Sequence, residues 1–366
     1  MKVIAIYLPQ FHSFPENDSW WGKGYTEWTA VKGAKPLYKG HIQPAEPLDG
    51  VYYDLKEDGA GTLRRQAELA KKYGIYGFMF YQYYFKGKKL METPLEILLE
   101  NRDIDLRYSL CWANESWTRA WYDKAEEVLL KQEYGNEADW EEHFKYLLRF
   151  FKDERYIKID GKPVFQIYRT FEIEALAAMA DYFNKRAVEE GFEGIYFIGG
   201  RTAAQTEDRP EVRKRFGGWY YFEPGYTLKH DMSAFATAEY NVTVAARTFI
   251  NAFRRNKLLE RRIPIKHIYD GIARREYAEN EYPGILAGWD NTPRRGYKGL
   301  VYTGSSPALF GELLMELKKK TEGRKNDFVY VNAWNEWGEG AMIEPAKHFG
   351  CGYLEEIKRV QDETIS

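Results

Sequence analysis

Cysteine is nearly absent: Cys111 and Cys351 are the two in a chain of 366 residues. They stand far apart and without metal-ligand spacing, which argues against a disulfide framework or a zinc site. Cys111 lies in an apolar run and reads as a small buried hydrophobe. No run of about 18 apolar residues is present, so no membrane span is expected. Charge of one sign is also missing as a long block, and the formal net charge is −2. A nucleic-acid partner is therefore not expected, because phosphate binding normally leaves a basic patch. The opening Met1-Lys2-Val3-Ile4-Ala5-Ile6-Tyr7-Leu8 is too short for a signal-peptide core and passes at once into Pro9-Gln10-Phe11-His12; it reads as a first strand, and the expected location is the cytoplasm. With no Pro/Ser-rich linker, low-complexity tract or internal repeat, residues 1–366 are expected to form one domain.

Aromatic residues are plentiful, with 29 Tyr, 21 Phe and 11 Trp, and many stand beside Asn, Glu, Gly or His rather than in apolar runs. Tyr and Trp join a flat apolar face to a polar tip, which suits the C–H faces and hydroxyl rims of sugars; core packing accounts for most of the others. Strand-like runs fall at Val3–Leu8, Ile75–Tyr81, Arg107–Trp112, Val164–Tyr168, Gly194–Ile198, Gly218–Phe222, Gly284–Trp289 and Phe328–Asn332. Helical patterns lie between them, at Gly61–Tyr73, Glu137–Phe151, Glu172–Glu190, Ala234–Asn256 and Pro307–Lys320. In Glu137–Phe151 the apolar positions Trp140, Phe144, Leu147, Leu148 and Phe151 share one helical face. This alternation predicts an α/β fold, a (β/α)₈ TIM barrel with elaborated βα loops. A doubly wound sheet is disfavoured, because no Gly-rich phosphate loop follows the first strand.

A barrel places its chemistry at the C-terminal strand ends. Polar-aromatic clusters recur there: Trp20-Trp21-Gly22-Lys23-Gly24-Tyr25-Thr26-Glu27-Trp28 after the first strand, then Tyr81-Gln82-Tyr83-Tyr84-Phe85, Trp112-Ala113-Asn114-Glu115-Ser116-Trp117, Phe222-Glu223-Pro224 and Trp289-Asp290-Asn291-Thr292-Pro293-Arg294. The eighth strand runs into Trp334-Asn335-Glu336-Trp337-Gly338-Glu339-Gly340. Two carboxylates three residues apart beside tryptophans are what glycosidic-bond chemistry needs, one acid for the leaving oxygen and another group for the anomeric carbon. The plainer reading is a pair of solvated glutamates opening a helix. Since strand side chains alternate, Tyr81 and Tyr83, or Tyr84 alone, should face the pocket. Asn114 would either bond sugar hydroxyls or cap the following segment. His12 is the histidine nearest the expected site, but no Ser or Cys partner suggests a triad. Arg119 and Arg294 suit a charged sugar or phosphate, or equally a surface ion pair.

In Tyr7–His12, Gly24–Trp28, Lys35-Pro36, Gly40-His41, Gln43-Pro44, Tyr73–Phe78, Trp112–Glu115, Asp160–Pro163, Asn291–Arg294 and Asn332–Gly340 the chain resembles WbsX-type polysaccharide-biosynthesis proteins, which are similar to glycoside hydrolase family 99, the endo-α-mannosidases. The resemblance spans nearly the whole chain. It implies a (β/α)₈ barrel and two catalytic carboxylates in a Glu-Trp-His-Glu segment, here Glu336-Trp337-Gly338-Glu339, with Gly in place of His. By resemblance Glu339 is the acid/base on the leaving oxygen, and Glu336 is the base that lets the sugar's own 2-oxygen attack the anomeric carbon. Glu115 matches a substrate-contacting acid, and Glu27 is a candidate for the cleavage-site sugar. Tyr81, Tyr83, Trp112, Asn114, His12, Trp289 and Trp337 complete the expected substrate-binding set. Glu27, Tyr81, Trp112, Asn114, Glu115, Glu336 and Glu339 are expected in one cleft, with Glu339 the more desolvated acid of the pair and its pKa raised. No cofactor or metal is called for.

Three function classes follow. A retaining hydrolase of an α-linked bacterial polysaccharide or oligosaccharide is favoured because both carboxylates stand at the family spacing. A glycosyltransferase would want a nucleotide-sugar or lipid-phosphate site; Asp103-Ile104-Asp105 has a metal-motif spacing but falls in a helix-to-strand connection. A catalytically idle carbohydrate-binding barrel would be expected to have lost one carboxylate.

Overall fold

The computed structural model describes residues 1–119, 124–204 and 206–364, with side chains for all of these except 119 and 124–127. Among the described residues a ring of parallel strands forms the centre: β1 (Lys2–Tyr7), β2 (Gly77–Phe85), β3 (Tyr108–Trp112), β4 (Lys162–Ile167), β5 (Tyr196–Arg201), β6 (Phe216–Tyr221), β7 in two pieces (Glu281–Tyr282 and Gly284–Leu286), and β8 (Phe328–Asn332). They pair in chain order, and β8 returns to lie against β1. The first piece of β7 pairs with β6, Trp219 opposite Glu281. The second pairs with β8, Gly284 opposite Tyr330. Pro283 between the pieces has no N–H for the ladder, yet its carbonyl accepts from the Tyr330 amide at 2.9 Å. The ring thus closes through one broken strand, giving the expected (β/α)₈ architecture.

The strand sequences fit a sheet covered on both faces. Val3 to Tyr7 are all buried, as the near-continuous apolar run of a parallel strand demands. Ile4 sits in register between Gly77 and Tyr330. A β-carbon at Gly77 would stand 2.5 Å from the Arg107 carbonyl oxygen, so glycine permits β2 to approach β3. Helices Gly59–Lys72, Glu137–Phe151, Leu176–Glu189 and Pro307–Thr321 pack outside the ring. The second of these starts at a capping box: Asn136 Oδ1 accepts from the Ala138 amide, and Asp139 accepts from the Asn136 amide. Its buried face holds Trp140, Phe144, Leu147 and Phe151 as expected, with Phe150 in place of the partly exposed Leu148.

Departures from the sequence reading lie at loops and ends. β2 continues past Tyr81 to Phe85 and folds back on Lys88–Leu90, through Lys86 and Gly87, both with positive φ, as a tight hairpin turn requires. Helix Leu176–Glu189 starts late because Thr170–Glu172 forms a separate 3₁₀ turn. The β6–β7 connection is long: it holds helices Gly225–His230, Ala234–Phe253 and Ile265–Arg274, and Arg261–Pro264 pairs with Leu300–Thr303 outside the ring. Among the described residues no helix is long and apolar enough to cross a membrane.

Candidate active site

A cavity of about 540 Å³ opens at the C-terminal ends of the strands. Its acids are Glu27, Glu115, Glu336 and Glu339; its aromatic walls include Trp20, Trp21, Tyr81, Tyr83 and Trp289. Trp289 also lines a second cavity of about 490 Å³ beside the β7 and β8 loops.

The glutamate pair is presented by a short folded loop. Asn335-Glu336 pairs antiparallel with Ala341-Met342, and Trp337–Glu339 makes one 3₁₀ turn between them. Gly340 ends that turn in the left-handed region, at φ 61°. Asn335 fastens the loop to the end of β1: its Oδ1 accepts from the Leu8 amide at 2.8 Å, and its Nδ2 donates to the Leu8 carbonyl at 3.0 Å. Both flanking tryptophans point inward, donating to the buried Glu344 carboxylate, Trp334 at 3.3 Å and Trp337 at 2.7 Å. Tyr53 and Gln66 donate to the same carboxylate. Hydrogen bonds from this loop to Leu8, and to a Glu344 carboxylate shared with Tyr53 and Gln66, thus fix the direction in which Glu336 and Glu339 project.

One guanidinium organises the acids. Arg294, in the turn Thr292–Arg295 after β7, donates through Nη1 to Glu339 Oε1 at 2.7 Å. Its Nη2 lies 2.8 Å from Glu27 Oε2 and 3.6 Å from Glu336 Oε2. Glu27 reaches this point from the first turn of helix Glu27–Gly33. Gly338 faces the same contact: a β-carbon there would collide with Glu27 Oε2 and stand 2.8 Å from Arg294 Nε. The space that a side chain at 338 would claim is filled by the Glu27–Arg294 ion pair.

Burial raises the pKa of both glutamates. For Glu336, lying well above the ordinary carboxylate range, burial comes first, then the Glu339 charge, with Arg294 opposing. For Glu339, burial again comes first, while Arg294 pulls the other way. The expectation that Glu339 is the more desolvated is overturned: the Glu336 side chain is 10% exposed and that of Glu339 22%. The reason is position, since Glu336 lies in the strand segment and Glu339 in the turn nearer the mouth. Opposite them, Glu115 pairs with Arg169; burial raises its pKa and Arg169 opposes.

Of the sequence candidates, Glu27, Tyr81, Tyr83, Glu115, Trp289, Arg294, Glu336 and Glu339 line this cavity. Trp112, Asn114, His12 and Trp337 stand behind its wall. Trp112 is buried and donates from Nε1 to the Tyr84 carbonyl. Tyr84 itself faces outward and stacks on His143, centroids 3.9 Å apart, as alternation along β2 requires when Tyr81 and Tyr83 face inward. Asn114 is fully buried and clamps Arg169, accepting from its amide and donating to its carbonyl. His12 is buried near Phe14, and Trp337 is buried against Trp28. Glu223 is an internal ion-pair partner of Arg275. Arg119 falls outside the described side chains, and the exposed Asp103 and Asp105 pair with Arg64 and Lys71. Arg169 and Tyr168 were not singled out from sequence, although their place at the end of β4 was a usable signal. The central place of Arg294 had none beyond its strand-end position.

A closed barrel with an acid-lined, aromatic-walled cleft at its C-terminal strand ends places this chain among barrels whose site is built on βα loops. It belongs to the family described as Glycosyltransferase WbsX, which it matches over residues 3–357. It is similar to WxcX proteins of two Xanthomonas campestris pv. campestris strains, ATCC 33913 and B100. Each is 31% identical over 361 residues, 98% of this chain and 49% of the relative. The chain thus spans about half the length of these curated relatives. Its fold is similar to the GH99 endo-alpha-mannosidase of Bacteroides thetaiotaomicron, with TM-score 0.57, 15% identity, and coverage of 98% of this chain and 96% of that one. A glycoside hydrolase-like protein gives TM-score 0.59 at 15% identity, covering 99% and 94%.

Proposed function

We propose that residues 1–366 act as one catalytic domain that cleaves an α-linked, manno-configured or related bacterial polysaccharide or oligosaccharide at internal bonds with net retention. The observation that carries this reading is the pair Glu336 and Glu339, three residues apart, both lining one aromatic-walled cleft and bridged to Glu27 by Arg294. The fold likeness to a protein named an endo-alpha-mannosidase adds support.

The proposed chemistry starts with one proton on the pair. Two buried carboxylates whose pKa values are both raised do not readily lose both protons. Glu336 removes the proton of the substrate's 2-hydroxyl; a base of raised pKa is better matched to so weak an acid. The 2-oxygen attacks C1, the bond from C1 to the leaving oxygen breaks, and Glu339 protonates that oxygen. A 1,2-anhydro sugar results, with the proton count of the pair unchanged. Water then gives a proton to Glu339 and its oxygen to C1, while O2 recovers its proton from Glu336. Arg294 compensates the charge that remains on the acids throughout.

A second reading is favoured by the family description: a sugar hydroxyl, rather than water, opens the anhydro intermediate and the enzyme is a transferase. Proton NMR of a digest of α-manno-oligosaccharides tests both. The hydrolase reading expects the α-anomer as first product, formed without an added acceptor. A β-anomer first product would sink the retaining scheme; turnover only with a sugar acceptor would assign transfer.

A further inference from the structure

We infer that helix Ala234–Phe253 is a docking surface that lays this protein on an anionic lipid bilayer. The helix belongs to the long β6–β7 connection. One side is tied to the body of the protein. Ala236 and Asn251 are buried there, and Tyr240 packs against the core. Asn251 also holds the following segment through the Leu258 amide and carbonyl, at 2.7 and 2.8 Å.

The other side is apolar and uncovered. Phe235, Val242, Phe249 and Phe253 recur at steps of seven and four residues, so they fall within about 40° of one another around the helix. They are exposed by 73, 70, 69 and 78%. The Phe249 and Phe253 rings contact each other, centroids 5.3 Å apart. A single exposed phenylalanine is ordinary, but four large apolar side chains in line along one helix mark an interaction site.

Charge selects the occupant. The helix has two charged residues, Glu239 and Arg247, and Glu239 is held by His267 at 3.2 Å. No acidic residue occurs from Tyr240 to Leu259, whereas Arg254, Arg255 and Lys257 follow directly on Phe253 and are exposed. Arg254 Nε donates to the Asn256 carbonyl, and Lys257 Nζ to the Asn251 carbonyl, which folds this basic turn against the helix end. A phenylalanine stripe ending in three cations complements a surface that is apolar below and anionic above. Two copies of this helix laid face to face would set cation against cation, because its single acid is Glu239, which lies 3.2 Å from His267. The helix therefore lies on the bilayer and does not cross it.

Co-sedimentation of the full chain with vesicles tests this, using phosphatidylcholine alone and phosphatidylcholine containing phosphatidylglycerol. Binding is expected to the anionic vesicles, to weaken with salt, and to be slight for phosphatidylcholine. The double variant Phe249→Asp/Phe253→Asp should lose about tenfold or more of the partitioning with an unchanged melting curve, since both side chains are exposed. Arg254→Glu/Arg255→Glu should abolish the preference for phosphatidylglycerol. No sedimentation with anionic vesicles, or equal binding by the Phe variant, overturns the inference. So does a wild-type dimer in analytical ultracentrifugation that the Phe variant breaks up, which would assign the stripe to a second copy. None of these outcomes depends on what the cleft cleaves.

Discussion

Gly338 and Glu27 occupy adjoining space so closely that a β-carbon on the first would overlap Oε2 of the second. The absence of a side chain at 338 and the presence of the Glu27–Arg294 ion pair are two sides of one packing solution. Gly338→Ala should therefore cost about 1–3 kcal/mol by overpacking and lower turnover, because the atom it displaces is bonded to the guanidinium that also holds Glu339. In a Glu27→Ala background the same substitution should cost clearly less. Thermal melts of the four proteins of this double-mutant cycle give the coupling directly; strict additivity would mean that the clash is relieved elsewhere.

Arg294 is nearly buried and faces three carboxylates. Arg294→Met should destabilise the protein by about 3–5 kcal/mol near neutral pH, the typical cost of leaving buried charge unpaired. The deficit should shrink toward pH 4, as Glu336 and Glu339, whose pKa values burial raises, take up protons. Denaturant midpoints at the two pH values check this, and a deficit that stays constant would show that packing, not charge, is lost.

For Glu336→Gln the sign of the pH effect is opposite to that of a salt-bridged acid. The folded-state pKa of Glu336 is raised by burial and by Glu339. Ionised Glu336 therefore costs stability above its folded pKa, and the cost vanishes below the unfolded value of about 4.3. The variant should be more stable than wild type at pH 8 and nearly equal to it at pH 4, as read from melting temperatures at both pH values.

The two glutamates should separate by leaving group. Glu339→Gln should abolish turnover of unactivated α-mannosides but spare the first step with an aryl or fluoride glycoside, which needs no acid. Glu336→Gln should suppress both. A 2-deoxy substrate turned over as fast as its parent would falsify attack by the 2-oxygen and make one glutamate an ordinary nucleophile.

Asn335 reaches the cleft only through the backbone it holds. Asn335→Ala removes the two bonds to Leu8 and leaves buried polar groups unpaired, at about 1–3 kcal/mol. It should lower kcat more than it raises KM, because it displaces the glutamate pair rather than a binding contact. A change in KM alone would mean that the loop keeps its position without the clamp.

The barrel was legible in the chain because its signals are local: β-branched runs such as Val3–Tyr7 and Phe328–Asn332, each followed by a polar-aromatic cluster and a helical period. The same locality placed Glu336 and Glu339, and strand alternation limited the inward tyrosines of β2 to Tyr81 with Tyr83 or Tyr84 alone. Tertiary packing decided what no local rule contains. It set Trp112, Asn114 and Trp337 behind the cleft wall, because buried N–H and amide groups must find partners and theirs lay in the core: Tyr84, Arg169 and Glu344 respectively. It brought Arg294 onto Glu27 and Glu339 from loops after different strands, since a buried guanidinium needs carboxylates wherever the chain can supply them. It also made Glu336, not Glu339, the deeper acid: sequence spacing gives the separation of two carboxylates along the chain, whereas depth depends on which of them the fold turns toward the mouth.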